Sequence, residues 1–529
     1  MARVGIYGWG IVAPRSPDVE AFASNLESAQ SWLTPFDGFG PSTFLAGEPA
    51  FDFQDYKGWI DERFPPNKFP QLDQKMGEMI QFSLGAFIQA LGQNPGLEQT
   101  LQELGAETHI LIGTGVGQLP TSYDCSIQLY RAQRRWDRFW ADASRNSDRN
   151  TYEGLNPEGR DELRERWHVP ADPRELDADL EDLDLLEGEW NACWMRRSDG
   201  LAEYLEAFDE IESEGVEGDI EREKLSLIRR KRAALERLHS KWDCPTPPWL
   251  SVSTALLWNI ANIPAAQISI IGGLTGPAYA PVAACSTFGV GLDLGLRAIH
   301  SGVARAVVVG ATDPAPHPLL VGAFYNARVL AAASRPSVPM SDLRGTHVAG
   351  GACVWILGDH EYMSARGYRP LGLEILGVGV TSDADHIITP SEAGPQEAIR
   401  RALQSAGIED TSELGTWDLH ATGTPGDYRE VANLKEILPD TVAVSARKGT
   451  FGHGMAASGG WELTAQHLGL SAGHIYPSPL RQENLNAEIG SVPFRYVLDI
   501  AVPDPGGAAG KLSMGIGGIN ACVISRRWS

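Results

Sequence analysis

The sequence predicts a layered α/β protein that is interrupted by a mostly helical insertion. Short apolar runs of strand length recur in residues 1–122 and 248–529, for example at residues 306–310 and 352–357. Such runs are typical of strands that are buried on both faces of a sheet. They alternate with helical stretches that are rich in glycine and alanine, and this alternation favours a layered α/β fold.

The insertion is predicted at residues 123–247, where Arg, Glu, Asp and Trp are dense and glycine is sparse. The segment 201–208 is amphipathic, and the turn-rich segment 244–248 ends the region. Its six tryptophans fill a small core of the insertion or, alternatively, line a tunnel or a partner surface: Trp136, Trp140, Trp167, Trp190, Trp194 and Trp242. The basic run 229–232 indicates either a solvated helix face or a docking patch for an acidic partner protein.

Composition excludes several classes of protein. The chain has 529 residues, 43% of them hydrophobic and 21% charged, which is typical of a globular protein. No apolar stretch approaches the roughly 18 residues of a membrane helix, and no secretory signal is recognised at the N-terminus. The six cysteines have no metal-site or disulfide spacing, so we expect a reducing cytoplasm. A net charge of −24 argues against nucleic-acid binding.

Cys285 is the candidate nucleophile. It follows an apolar, strand-like run and precedes a small-residue segment of helical period. At such a junction the N–H dipoles of the helix point at the sulfur, which predicts a lowered thiol pKa and a thiolate. The alternative is a buried, inert cysteine.

Two downstream segments add histidines to this cysteine. His420 ends a strand-like segment before a loop in which Thr422 and Thr424 offer hydroxyls, either for substrate amides or for the turn itself. His453 lies between two glycines, and Lys448 precedes it by five residues. A buried Lys448 requires a counter-charge, for which Glu462 is the nearest candidate.

Together these residues indicate carbon–carbon bond formation on thioesters. A soft nucleophile suits acyl transfer, and the Nε2–H groups of two imidazoles suit a developing enolate. A glycine-rich turn at residues 514–520 offers backbone N–H groups, including that of Ile516, for an oxyanion hole with Cys285. The same turn lacks the Gly-Lys-Ser/Thr ending of a phosphate-binding loop.

Four motifs in this order resemble those of the β-ketoacyl synthase family, the elongating condensing enzymes of fatty acid and polyketide synthesis. The matching segments are residues 284–286 (active-site cysteine), 420–424 (His-Gly-Thr-Gly-Thr), 448–453 (Lys-x-x-x-Gly-His) and 515–520 (Gly-Phe-Gly-Gly-x-Asn). The resemblance implies a thiolase-like fold with two similar halves in a five-layered αβαβα core. The N-terminal half is then formed by residues 1–122 and 248–360 and the C-terminal half by residues 361–529.

The resemblance also implies roles for the site residues. Cys285 holds the acyl group, His420 and His453 assist the decarboxylation of a malonyl-type extender, and Lys448 supports them. Glu462 supports Lys448, and Ile516 supplies a backbone N–H group and occupies the position of a gating Phe. No metal and no organic cofactor is expected. The expected partners are acyl carrier protein and a second copy of the chain, with a heterodimer with a related subunit as the alternative.

Three departures from the family pattern predict a specialised lipid or polyketide pathway. Ala421 replaces a Gly, Gly350 stands where an acidic residue is expected, and Ile516 replaces the Phe. Two other functions remain open. One is an acyltransferase that makes an ester or amide without decarboxylation, and the other is a non-catalytic chain-length partner subunit, although such partners usually lack the cysteine.

Overall fold

The chain divides into two compact units. The structure is a computed structural model that describes residues 2–177, 179–216 and 220–528. Residues 178 and 217–219 of the predicted insertion, and the first and last residues of the chain, lie outside the described residues. The first unit comprises residues 2–120 and 257–528, and the second comprises Thr121–Leu256. Within the described ranges, no helix has both the length and the apolar character needed to cross a membrane.

All strands of the described chain belong to the first unit. They are β1 (Val4–Val12), β2 (Thr34–Pro35), β3 (Leu45–Ala46), β4 (Thr108–Gly113), β5 (Ala278–Tyr279), β6 (Ala306–Asp313), β7 (Gly351–Asp359), β8 (Glu374–Ser382), β9 (Leu414–Asp418), β10 (Ala443–Ser445), β11 (His474–Ile475), β12 (Arg495–Tyr496), β13 (Val502–Pro503), β14 (Ala508–Gly515) and β15 (Ile519–Arg526).

The helices occur in both units. They are α1 (Val19–Leu26), α2 (Lys57–Asp61), α3 (Lys68–Lys75), α4 (Glu78–Gly92), α5 (Leu97–Leu104), α6 (Leu119–Ala141), α7 (Ser147–Glu153), α8 (Pro157–Trp167), α9 (Leu180–Met195), α10 (Asp199–Glu212), α11 (Ile220–Trp242), α12 (Pro248–Ser251), α13 (Ile263–Gly272), α14 (Thr287–His300), α15 (Pro318–Asn326), α16 (His360–Ala365), α17 (Ala393–Ala406), α18 (Gly426–Lys435), α19 (Lys448–Phe451), α20 (Met455–Ala472) and α21 (Ala487–Ser491).

The two large sheets repeat one pattern of strand directions. The first has the order β1-β7-β6-β4-β5, in which β1, β7 and β6 pair antiparallel and β6, β4 and β5 pair parallel. The second has the order β8-β15-β14-β9-β10-β12, in which β8, β15 and β14 pair antiparallel and the remaining neighbours pair parallel. The first unit is therefore built from two similar halves.

Helices separate and cover the sheets. The helices α14 and α20 pack on each other, and each contacts strands of both sheets. The outer face of the first sheet is covered by α4 and α13, while α17 covers β8 and β15 of the second. The layer between the sheets is an apolar core that includes Phe288, Trp355 and Trp461. This is the predicted five-layered αβαβα arrangement, and it places the N-terminus of α14 between the two halves.

The second unit contains α7 to α12 and most of α6, and its tryptophans contact one another. Trp136 and Trp140 pack with Tyr204 in one apolar cluster. Trp190 and Trp194 pack with Tyr152 in a second cluster. Trp242 borders the first cluster and Trp167 the second. These six side chains therefore form the internal packing of the unit.

The basic run on α11 is largely neutralised within the same unit. Arg230 pairs with Glu214 at 3.1 Å, Lys231 with Glu212 at 3.2 Å and Arg232 with Glu236 at 3.2 Å. Exposed pairs of this kind contribute little to stability, but they reduce the positive charge that an acidic partner would meet. The geometry therefore favours the solvated helix face over a docking patch.

Candidate active site

Cys285 lies in a single 3₁₀ turn, Ala284–Ser286, that leads directly into α14. Ala284 has a φ of 48°, a left-handed conformation that is uncommon for a residue with a side chain. The Ser286 hydroxyl donates to the carbonyl of Ile519 at 2.7 Å and thereby ties this turn to β15. The turn between β14 and β15 is consequently held against Cys285, and the Ile516 N–H group lies close enough to the sulfur to favour the thiolate.

The expected lowering of the Cys285 pKa is wrong. Burial raises the pKa of the thiol to about 11, although the nearby Lys448 ammonium and the Ile516 N–H group both lower it. The side chain is 6% exposed. The free-energy cost of removing the thiolate from water is larger than the stabilisation that the thiolate receives from the helix N-terminus and the lysine. The resting residue is therefore a protonated thiol.

The loop that carries His420 is held by two buried carboxylates on α18. Glu430 accepts the backbone N–H groups of His420 at 2.6 Å and of Ala421 at 2.8 Å. Asp427 accepts those of Thr422 at 2.8 Å and of Gly423 at 3.0 Å. Burial raises the pKa of Glu430 to about 7 and that of Asp427 to about 6. Neither residue was predicted from the sequence, although an Asp-x-x-Glu pair at the start of a helix after a glycine loop was a usable signal.

Lys448 contacts both Glu462 and the backbone of His420. Its Nζ lies 2.6 Å from Glu462 Oε1 and donates to the His420 carbonyl at 2.5 Å. The same Nζ is 3.5 Å from His420 Nδ1. Because an ammonium faces Nδ1, that nitrogen is the acceptor of the ring, and the proton of the neutral imidazole resides on Nε2.

His453 is close to His420 and equally buried. The two ring centroids are 5.5 Å apart, with the rings nearly perpendicular. The His453 backbone is fixed by hydrogen bonds to the strand-like segment at residues 347–349. Burial, together with the charge of Lys448, lowers the pKa of both imidazoles well below the ordinary value. Both rings are therefore neutral and offer N–H groups without carrying charge.

A cavity of about 630 Å³ joins these residues. Cys285, His420 and His453 line it together, and Thr422, Thr424 and Ile516 line it as well. Its walls are mostly apolar and include the side chains of Phe324, Ile388, Ile399, Leu434 and Met514. The arrangement suits an apolar chain on a thioester whose reacting carbonyl reaches the cysteine.

The threonines are also engaged with each other. The hydroxyls of Thr422 and Thr424 are 3.0 Å apart, and both side chains line the cavity. This position is compatible with both of the roles considered for them, turn formation and substrate contact.

The departures from the family pattern have different structural meanings. Ile516 lines the cavity and is 41% exposed, so its side chain leaves the passage open. A Cβ atom on Gly350 would lie 2.1 Å from the Pro314 carbonyl oxygen, so no acidic side chain fits there. The N–H group of Ala421 is bound by Glu430, as a glycine N–H would be.

Buried charges extend beyond the predicted site residues. Asp418 pairs with Arg447 at 3.3 Å, and Lys511 pairs with Glu462 at 2.9 Å. All four side chains are almost completely buried. A lone lysine in the otherwise apolar run 508–512 was the signal for Lys511 in the sequence. No group of three or more metal-binding side chains occurs in the part of the chain that the structure describes.

Comparisons with known proteins agree with this geometry. Residues 243–361 match the family described as "Beta-ketoacyl synthase, N-terminal domain" and residues 373–480 match "Beta-ketoacyl synthase, C-terminal domain". The chain is 31% identical to 3-oxoacyl-[acyl-carrier-protein] synthase 2 of Vibrio cholerae over 44% of its own length and 58% of the relative's. It is 30% identical to the chloroplastic 3-oxoacyl-[acyl-carrier-protein] synthase I of Arabidopsis thaliana over 50% of its own length and 57% of the relative's. The matched part thus spans less than two thirds of these relatives.

Solved structures share the fold across the whole chain. A β-ketoacyl synthase from Burkholderia phymatum superposes with a TM-score of 0.67 at 17% identity, and each chain is covered completely. A chain of the AntDE:AntF complex, in which a type II PKS acyl-carrier protein is bound to its ketosynthase, superposes with a TM-score of 0.65 at 16% identity, again with complete coverage of both chains. At these identities the likeness concerns the fold alone.

Proposed function

Because this chain belongs to the β-ketoacyl synthase family of the thiolase-like superfamily, we propose that it catalyses a decarboxylative Claisen condensation between two carrier-bound thioesters. The observation that carries the proposal is that Cys285, His420 and His453 line one mostly apolar cavity.

The first step is transfer of the acyl chain to Cys285. Its sulfur attacks the thioester carbonyl, the carbon–sulfur bond to the carrier breaks, and the thiol proton leaves with the carrier sulfur. The oxyanion that forms is stabilised by the N–H groups of Cys285 and Ile516. The hydrogen bond from the Ser286 hydroxyl to the Ile519 carbonyl, which holds the β14–β15 turn beside Cys285, supports the placement of this donor.

The second step is decarboxylation of a malonyl-type extender. The bond to the carboxylate carbon breaks, CO₂ departs, and the electron pair remains as an enolate. The enolate oxygen accepts hydrogen bonds from the Nε2–H groups of His420 and His453. The 3.5 Å approach of Lys448 to His420 Nδ1 supports this tautomer for His420.

The third step joins the two units. The enolate carbon attacks the carbonyl of the acyl-Cys285 thioester, and the carbon–sulfur bond breaks. Cys285 leaves as a thiolate, regains its proton from solvent, and the β-ketoacyl chain remains on the extender's carrier. The net reaction consumes one proton and releases one CO₂ and one free carrier thiol.

Intact-protein mass spectrometry tests the assignment. Wild-type protein should gain the mass of the acyl group when mixed with acyl carrier protein, and Cys285→Ala should not. Cys244→Ala is the matched control, since Cys244 belongs to the other unit and does not line the cavity. Elongation by Cys285→Ala at the parent rate would contradict the assignment of Cys285 as the nucleophile.

Product analysis separates the two alternatives. Release of CO₂ with a product two carbons longer supports condensation, whereas an ester or amide without CO₂ identifies the non-decarboxylating acyltransferase. Failure of the wild-type protein to acylate itself, together with activity only beside a related subunit, identifies the chain-length partner.

We also propose acyl carrier protein and a second copy of this chain as partners. The edge strand β5 and the exposed side chains of Tyr279 and Val282, each 60% exposed, support self-association along the first sheet. Light scattering distinguishes a homodimer from a monomer that awaits a related subunit. The open passage at Ile516 supports a specialised lipid or polyketide substrate rather than a housekeeping one.

A further inference from the structure

Lys511 is a completely buried lysine to which the three steps above give no part. It lies at the centre of β14, opposite Asp418 on β9, and its side chain is 0% exposed. Its Nζ lies 2.9 Å from Glu462 Oε2 and donates to the Leu419 carbonyl at 3.3 Å and to its own neighbour Leu512. Asp418 Oδ1 is 4.0 Å away. A single ammonium is thus surrounded by oxygens of four residues.

Two of these oxygens belong to carboxylates that pair with Arg447 and Lys448 through their other oxygen. Asp418 Oδ1 and Glu462 Oε2 are buried, and neither accepts a hydrogen bond within the described residues. Both face Lys511. Without that ammonium, two carboxylates would face each other in a medium of low dielectric constant, which is strongly unfavourable.

Lys511 is connected to His420 by two short routes. In one, its partner Glu462 holds Lys448 through the other carboxylate oxygen, and Lys448 donates to the His420 carbonyl. In the other, Lys511 binds the carbonyl of Leu419, the residue directly before His420. The position of the imidazole therefore depends on Lys511 from two sides.

The charges around this point are nearly balanced. The ionisable groups that face the cluster from β9, α18, α19, α20 and the adjoining loops are Asp418, His420, Glu430, Arg447, Lys448, His453 and Glu462. Three of the cluster's members are cations and three are carboxylates once Lys511 is counted. Loss of Lys511 leaves an excess of negative charge beside the two imidazoles.

We propose that Lys511 is a positioning residue, a cation built into the chain that holds Glu462 and the Leu419 carbonyl so that Lys448 and His420 keep their places. Where it concerns decarboxylation, the inference rests on the proposed function. Lys511 itself touches neither substrate nor the reacting atoms.

The first test is Lys511→Met, which keeps the side-chain length and removes the charge. Decarboxylation of malonyl carrier protein should lose about 100-fold in kcat, because the imidazole is misplaced, while KM changes by less than about threefold. A kcat within about threefold of the parent in a folded variant would overturn the inference.

The second test is chemical rescue. Lys511→Ala leaves space beside the four oxygens, and ethylammonium chloride should restore most of the lost kcat. The matched control is Lys511→Met with the same salt, because its side chain still fills the space and no rescue is expected. Equal recovery of both variants would reduce the effect to general ionic strength and contradict the proposal.

If Lys511→Ala folds only in the presence of the amine, the variant is instead diluted from an amine solution into buffer without amine, and decarboxylation and folding are followed over time. Loss of decarboxylation before any change in tryptophan fluorescence supports a positioning role. Simultaneous loss of both indicates a purely structural role and overturns it.

Alkylation of Cys285 keeps this inference separable from the proposed reaction. Lys448 favours the Cys285 thiolate, so displacement of Lys448 in Lys511→Met should slow alkylation by iodoacetamide at a fixed pH. An unchanged rate overturns the link from Lys511 to Lys448. If the wild-type protein fails to decarboxylate but Lys511→Met still slows the alkylation of Cys285, the proposed function is contradicted and the positioning role remains supported.

Discussion

The alkylation rate of Cys285 should rise steeply with pH and stay low near neutrality. The pKa of this thiol is about 11 instead of the ordinary 9.0, because the thiolate is desolvated. At pH 8 the thiolate fraction is then about 0.1%, against about 10% for an unperturbed thiol. The smaller thiolate fraction alone therefore predicts that Cys285 is alkylated about 100-fold more slowly than an accessible cysteine.

The assay follows carbamidomethylation of the Cys285 peptide by mass spectrometry between pH 7 and pH 10, with a free thiol in the same tube as reference. Steric protection lowers the rate by the same factor at every pH, whereas a raised pKa changes its pH dependence. The rate at Cys285 should increase about tenfold per pH unit through pH 10, while the reference levels off near pH 9.

Lys448→Met tests how the lysine affects the pKa of Cys285. The Lys448 ammonium lowers the pKa of Cys285, so its removal should slow alkylation further across the whole range. Lys435→Met is the matched control, since Lys435 is partly exposed and pairs with Asp440 away from the cavity. A plateau of the wild-type rate below pH 9 would refute the reasoning, because it would mean that the helix N-terminus outweighs burial.

Three further outcomes are expected. Glu430 has a pKa of about 7 in the folded chain against an ordinary 4.5, so its contribution to stability falls as pH rises from about 4.5 to 7, by up to about 3 kcal/mol. Glu430→Gln should flatten the dependence of the thermal midpoint on pH in that window, and an unchanged slope would contradict this. Gly350→Asp should lower the midpoint strongly, because its Cβ meets backbone at 2.1 Å, whereas Gly92→Asp, which has open space, should change it little. Ile516→Phe keeps the N–H group but narrows the cavity, so kcat/KM should fall more for long or branched acyl chains than for acetyl; an equal loss for all chains would argue against a gating position.

Much of the fold was predictable because it depends on local pattern. Strand-length apolar runs such as residues 306–310 and 352–357 did become the buried strands β6 and β7. The second compact unit is Thr121–Leu256, whereas the insertion predicted from composition comprised residues 123–247. The repeat of strand directions in the two sheets was not visible in the residues themselves and came from the family resemblance, because strand pairing joins segments that are distant in the chain.

The proposed site residues were recognised from local patterns as well. Cys285, His420, Lys448 and His453 stood out because a nucleophile and imidazoles beside glycines are unusual residue patterns, and all but Lys448 line the cavity. The direction of the shift in the thiol pKa was predicted wrongly, because the helix N-terminus is a local feature while desolvation depends on everything packed around the sulfur. Glu430 and Asp427 escaped notice, because the donors to their carboxylates are backbone N–H groups whose direction only a folded loop defines.

Residue types and their order along the chain thus sufficed for the layered α/β fold and for the proposal of a site with a cysteine and two histidines. The long-range electrostatics did not follow from them. Lys511, Glu462 and Asp418 lie on β14, α20 and β9, and their charges meet only when these elements pack in one half of the core. Removal of water from that contact gives each charge its large effect. Whether the Cys285 proton is held or released was therefore decided by packing.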